Sequence, residues 1–150
     1  MRRFVMYKHV LIPTDGSELS AKAESAGLTL ARALDAKVTV LTVTPPFQFI
    51  GTEPMMLVAT EPEYEKAQAA RAAQTLERVK STAAAVGVPV ETVRAVNSHP
   101  FEAIIATAKE RGCDLVFMAS HGRRGVAGLV LGSETTKVLT HSKVPVLVYR

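Results

Sequence analysis

The chain has 150 residues and a net charge of +4, from 18 Lys and Arg against 14 Asp and Glu; so mild and scattered an excess suits a small anionic ligand and lacks the clustered basic face of a nucleic-acid binder. Hydrophobic residues are 47% and aromatics only 5%, so Ala, Val, Leu and Ile must build the core of one domain over residues 1–150. No apolar run reaches the roughly 18 residues that a membrane span needs, and the one cysteine, Cys113, excludes an internal disulfide and fits a cytoplasmic chain.

Arg2 and Arg3 read as a solvated terminus. No secretory signal is indicated, because Lys8, His9 and Asp15 interrupt any apolar stretch behind the arginines. The first strand is read at Val10, Leu11 and Ile12. Leu19, Ala23, Ala26, Leu30 and Ala33 then step by three and four and predict a helix. A second strand covers residues 38–43. The segment 44–60 holds Pro45, Pro46, Gly51 and Pro54, and reads as a long loop, a candidate flap. Ala69, Ala72, Leu76, Val79, Ala83 and Val86 give a second helical stripe, closed by Gly87. Residues 88–96 read as a third strand, Phe101, Ile104, Ile105 and Ala108 as a third helix, and residues 115–119 as a fourth strand. Cys113 opens that apolar run and reads as a buried, inert thiol. A fourth helix is expected from Ser133 to about His141, and a fifth strand over residues 144–148.

Short, nearly continuous apolar strands alternating with amphipathic helices predict an α/β fold: an open, doubly wound, mostly parallel five-stranded sheet with helices on both faces. Ligands of such sheets sit beyond the carboxyl ends of the strands, where the strand order switches. The chemistry is therefore sought in residues 13–17, 44–60, 97–100 and 120–132.

The last of these is the most informative. Gly122, Gly125, Gly128 and Gly132 lie between a buried strand and a helix that opens on Ser133. Backbone N–H groups of such a loop can point at an anion, and Ser133 can donate to a phosphate oxygen. A glycine-rich connection with Ser133 as an ordinary N-cap fits the same spacing. A P-loop is excluded, because no Gly-Lys-Ser/Thr follows, and so is a dinucleotide fingerprint, because Gly122, Gly125 and Gly128 are three apart. Asp15-Gly16 can be a plain turn, or a carboxylate placed at a strand end to accept hydroxyl hydrogen bonds. His9, His99, His121 and His141 have no metal-ligand spacing, although His121 stands inside the glycine loop.

These residues resemble the universal stress protein family, whose ATP-binding members carry Gly-x2-Gly-x9-Gly-Ser/Thr at this place. Gly122, nine intervening residues and Gly132-Ser133 match that pattern, while Ala119 stands where the family has its first glycine. The opening, residues 8–17, and the ending, residues 144–148, also look like the family's first and last strands, so the likeness spans the chain. The resemblance implies a Rossmann-like fold of the adenine nucleotide alpha hydrolase kind. It implies ATP as ligand, with or without Mg2+. Pro13 and Thr14 would line the site, Asp15 would hydrogen-bond ribose or adenine, Val43 would meet adenine through its backbone and Met118 would pack the base. Ala119, His121, Gly122, Gly132, Ser133 and the amides of Glu134 and Thr135 would border or hold the phosphates. It further implies a homodimer through the C-terminal strand and a role in the stress response as a nucleotide-dependent switch. Hydrolysis is expected to be slow at most, since no general base or metal-holding carboxylate pair adjoins the loop. The rival is a nucleotide-free stress protein that works as a dimeric protein-interaction module.

Overall fold

The computed structural model describes residues 6–48, 60–122 and 131–150. Among these, strands β1 (His9–Pro13), β2 (Lys37–Thr44), β3 (Val90–Val96), β4 (Leu115–Ala119) and β5 (Val146–Tyr149) alternate with helices α1 (Glu18–Leu34), α2 (Glu61–Ala85), α3 (Pro100–Arg111) and α4 (Ser133–His141). The sheet order is β3-β2-β1-β4-β5, and every neighbouring pair is parallel. This is the doubly wound α/β architecture that the alternating patterns predict. The order reverses at β1, so the crevice between the carboxyl ends of β1 and β4 is the switch point.

Alternation along the strands divides the core in two. Val10, Ile12, Val38, Val40 and Phe117 pack with Ala23 and Leu28 of α1 and Val79 of α2. Leu11, Leu41, Val116 and Met118 pack with Ile104 of α3 and Val138 of α4. Both faces of the sheet are thereby covered, as parallel pairing requires. The amino ends of β1 and β4 are tied together by Asp114, whose carboxylate accepts the backbone N–H groups of Lys8 (2.9 Å) and His9 (2.9 Å).

Element ends differ from the sequence reading where local hydrogen bonding outweighs hydrophobicity. Val88 is buried but precedes β3. Gly87 takes a left-handed φ of +72°, and the Val88 N–H folds back onto the Ala83 carbonyl (2.9 Å), closing α2 instead of extending a strand. Val144 precedes β5 because both of its backbone groups are bonded to the Ser142 hydroxyl. Helix α2 starts eight residues before its apolar stripe. Its first turns carry charge, and a capping box starts them: the Thr60 hydroxyl accepts the Glu63 N–H, and the Glu63 carboxylate accepts the Thr60 N–H. The candidate flap falls mostly on residues 49–59, outside the described residues.

The amino-terminal half of α2 is held by charge more than by burial; of its 25 residues, Ala72, Val79 and Ala83 are the buried ones. The Thr60 N–H, then the Thr60 hydroxyl, hold the Glu63 carboxyl below its ordinary value of 4.5. The Arg94 guanidinium, 2.7 Å away, does the same for Glu65. A carboxylate whose folded pKa is depressed contributes stability above its ordinary value and loses it as pH falls through the folded one. The first turns of α2 should therefore lose amide-exchange protection as pH drops below about 4.5, before the rest of the sheet does. Protection that stays uniform down to pH 3, about a unit and a half below the ordinary glutamate value, would contradict this.

Candidate functional site

The crevice at the switch point is built from two strand-end loops and one helix start. The first loop follows β1. The Thr14 N–H bonds the Leu41 carbonyl (2.8 Å), carrying the β1–β2 ladder one residue further. Gly16 then turns the chain with φ +78°, a conformation costly for a residue with Cβ. Ser17 caps α1, accepting the Ser20 N–H (3.2 Å). The Asp15 carboxylate is fixed by its Oδ1, which accepts the Ser17 N–H (2.9 Å) and the Ser20 hydroxyl (2.7 Å). Ser17 and Ser20 thus begin the helix, as their positions suggest, and also set the direction of the acidic side chain.

The second loop leaves β4. Ser120 is buried; its N–H bonds the Tyr149 carbonyl (2.7 Å), and its own carbonyl accepts the Gly132 N–H (2.7 Å). The Ser120 hydroxyl lies 3.2 Å from His121 Nδ1. The chain therefore leaves at His121 and returns at Gly132 beside itself, with α4 starting there. Arg123, Arg124, Gly125 and Gly128 lie outside the described residues.

The two loops meet at Gly122. A Cβ built there would stand 2.5 Å from Asp15 Oδ2, closer than real Cβ contacts allow. A Cβ on Gly132 would meet Cα and Cβ of His121 at 3.0 Å and the Ser120 carbonyl at 3.4 Å. A side chain at either position would therefore press on the protein itself, most severely at Gly122. Of the two roles open to Ser133, the structure rules out that of N-cap. The N-cap of α4 is Gly132, with φ −71°, a residue without a side chain to cap the helix; Ser133 is the exposed first residue of α4. The opening N–H groups of a helix carry partial positive charge and favour an anion.

The remaining predicted residues are distributed around this crevice. Pro13 ends β1 and is half-buried. Val43 lies one residue before the end of β2, paired with Ala95 and packed on the α3 side of the core. Met118 is buried on that same side. Ala119 is 7% exposed, and its methyl belongs to the buried cluster under α1 and α2. Its carbonyl accepts the hydroxyl of Thr135 (3.0 Å), so that side chain joins α4 to β4. The Glu134 carboxylate turns away onto α3, where it accepts the Phe101 N–H (2.9 Å) and pairs with Lys137 (3.4 Å); it caps a neighbouring helix, leaving only its amide for a ligand.

Sequence reading missed Glu24 and Arg78. Glu24 is 1% exposed, accepts a short hydrogen bond from the Thr14 hydroxyl, and is clasped by both terminal nitrogens of Arg78 (2.8 and 3.0 Å). The signal was a carboxylate on the inward stripe of α1, between Ala23 and Leu28. No group of three or more His, Cys, Asp or Glu able to hold a metal occurs among the described residues, nor does a helix apolar and long enough to cross a membrane.

A parallel doubly wound sheet with glycines, a helix start and an acidic turn at its switch point places the chain among the Rossmann-like α/β domains. More narrowly, the chain belongs to the universal stress protein family, whose sequence model matches residues 6–150. The universal stress protein YxiE of Bacillus subtilis is 33% identical over 150 residues, covering 97% of this chain and all of that protein. The universal stress protein MJ0531 of Methanocaldococcus jannaschii is 31% identical over 147 residues, covering 97% of this chain and 83% of that one. A crystal structure of a universal stress protein in complex with cAMP superposes with a TM-score of 0.71 at 29% identity, covering 96% of this chain and 97% of that one.

Proposed function

We propose that this protein binds an adenine nucleotide, ATP, with or without Mg2+, at the β1–β4 switch point, and acts as a cytoplasmic, nucleotide-dependent regulator in the stress response. The observation that carries this reading is the meeting of the Asp15 turn, Gly122 and the glycine-capped start of α4 at one end of the sheet. Phosphates would lie against Gly122, Gly132, Ser133 and the amides of Glu134 and Thr135, beside His121 and Ala119. Pro13, Thr14 and Asp15 would border the ribose, with Val43 and Met118 on the base. The related universal stress protein crystallised with cAMP supports an adenine nucleotide as the ligand class.

Binding should show as stabilisation. Ligand at 100 times its dissociation constant adds about 2.7 kcal/mol, which for a chain of this length raises Tm by about 5–10 °C. Differential scanning fluorimetry with millimolar ATP, with and without magnesium, measures it. Mass spectrometry of what the denatured protein releases separates ATP from ADP, AMP and cAMP. An unmoved Tm together with an empty release fraction would favour the nucleotide-free interaction module instead.

Assembly through β5 belongs to the same reading. Strand β5 is the last in the sheet order, and Leu147 on it is 39% exposed. An uncovered strand edge offers its N–H and C=O groups to a second copy. Val146 packs inward against the core, so Leu147 is the better probe. Leu147→Lys should convert a dimer into a monomer in sedimentation at tens of micromolar, concentrations at which the parent associates if its Kd is about 1 μM. A monomeric parent, or an undisturbed dimer in the variant, would overturn this assembly.

A further inference from the structure

We propose that Glu24, which meets the site through Thr14, is a positioning residue: through that hydroxyl it fixes the turn that presents Asp15, and with it the nucleotide affinity of the site. This rests on the nucleotide-binding reading above.

Helix α1 presents three polar side chains to the turn at successive levels. Ser17 caps the helix, Ser20 donates to Asp15 Oδ1 (2.7 Å), and Glu24 accepts the Thr14 hydroxyl. The Thr14 oxygen also accepts the Gly16 N–H (3.2 Å). Thr14 thus relays the hold of Glu24 to the residue whose left-handed backbone makes the turn. Thr14 is 5% exposed, so water does not replace Glu24 as its partner. A carboxylate so buried is costly without a partner of opposite charge, and Arg78 supplies one from α2 through two parallel hydrogen bonds. The chain Arg78–Glu24–Thr14–Gly16 ends one residue past Asp15, whose carboxylate bears on Gly122. A purely apolar residue at position 24 would fill the core equally well and leave the turn without this constraint.

The test separates holding the turn from holding the fold. Glu24→Leu combined with Arg78→Met removes the pair without stranding a buried charge, and such replacements commonly preserve or raise stability. Thr14→Val, of equal shape, removes the relay, and because Thr14 also borders the proposed ribose position it is read by amide exchange, with ATP affinity read on the double variant. Two quantities are read: hydrogen exchange of the Gly16 and Ser17 amides in the ligand-free protein, and the Kd for ATP by calorimetry. Exchange at least tenfold faster at both amides, and ATP binding at least tenfold weaker, with Tm within a few degrees of the parent, is the expected result. Unchanged exchange at these amides in both variants overturns the inference whatever the nucleotide does. Faster exchange with unaltered affinity overturns it too. A parent that binds no nucleotide refutes the proposed function instead, and the exchange rates still decide whether Glu24 holds the turn. Should the double variant fold poorly, Thr14→Val carries the exchange comparison, with Thr14→Ser expected to restore parental exchange and unchanged exchange in Thr14→Val overturning the inference.

Discussion

Gly122→Val should weaken nucleotide binding at least a hundredfold, about 2.7 kcal/mol, and Ala119→Gly should change it by less than tenfold. The two positions are only three residues apart and both belong to the family's glycine pattern, yet their surroundings are opposite. At Gly122 the first atom of a side chain would stand 2.5 Å from Asp15 Oδ2. That carboxylate cannot swing aside cheaply, since its other oxygen is bonded to the Ser17 N–H and the Ser20 hydroxyl. The glycine loop must retreat or the acidic turn must break, and either change spoils the crevice. At Ala119 the methyl is buried beneath α1 and α2, and the backbone is ordinary β-strand, so glycine removes a little packing and adds strand flexibility. Gly132→Val should behave like Gly122→Val, with a larger loss of stability, because the atoms in its way are the Cα of His121 and the Ser120 carbonyl. Calorimetric titration of the variants with ATP measures all three. A Gly122→Val protein binding like the parent would show that the two loops need not meet for binding. Recovery of binding only on Ala119→Gly would place the chain with nucleotide-free members.

The largest loss of stability is expected from Arg78→Met. It leaves Glu24, 1% exposed, with Thr14 as its remaining hydrogen-bond partner among the described residues. Stranding one member of a buried ion pair costs about 3–5 kcal/mol. The lower end applies, because the Arg78 side chain is 43% exposed and its removal lets water approach the carboxylate. A loss of about 3 kcal/mol lowers Tm by roughly 6–12 °C for a chain of this size. Glu24→Leu should cost less, since the arginine it frees can turn to solvent while leucine fills the space. Chemical denaturation of the two variants gives the order directly. Equal costs would mean that the pair acts by packing and not by charge.

Much of this molecule was legible in the sequence, and the parts that were not share a cause. Strands and helices announced themselves where apolar residues repeat, because a sheet covered on both faces needs nearly continuous valine, leucine and isoleucine, and a helix against it needs one stripe. The start of α2 was missed because eight charged or polar-flanked residues have no such stripe; only the capping pair Thr60 and Glu63 betrays it. Val88 and Val144 were read as strand because hydrophobicity does not tell which carbonyl a backbone N–H will find. The glycine loop and Asp15 were visible as motifs. What motifs could not show is that the two loops press on each other at Gly122, or that Ser133 follows the cap instead of forming it. Such facts depend on residues far apart in the chain. Glu24 was written plainly within a helix face otherwise made of Ser, Ala, Gly and Leu, but its partners, Thr14 and Arg78, come from two other elements.

The setting of Cys113 makes the protein convenient to label. It is the chain's one cysteine, it is buried, and burial pushes its thiol up to about 11. At neutral pH a maleimide finds almost no thiolate there, as alkylation requires an accessible, ionised sulfur. A cysteine introduced on the exposed side of α2, at Gln74 for example, would then be the single reactive handle on an otherwise native molecule. A fluorophore attached at that point would report on the helix that carries Arg78, without first having to remove a sulfur from the core.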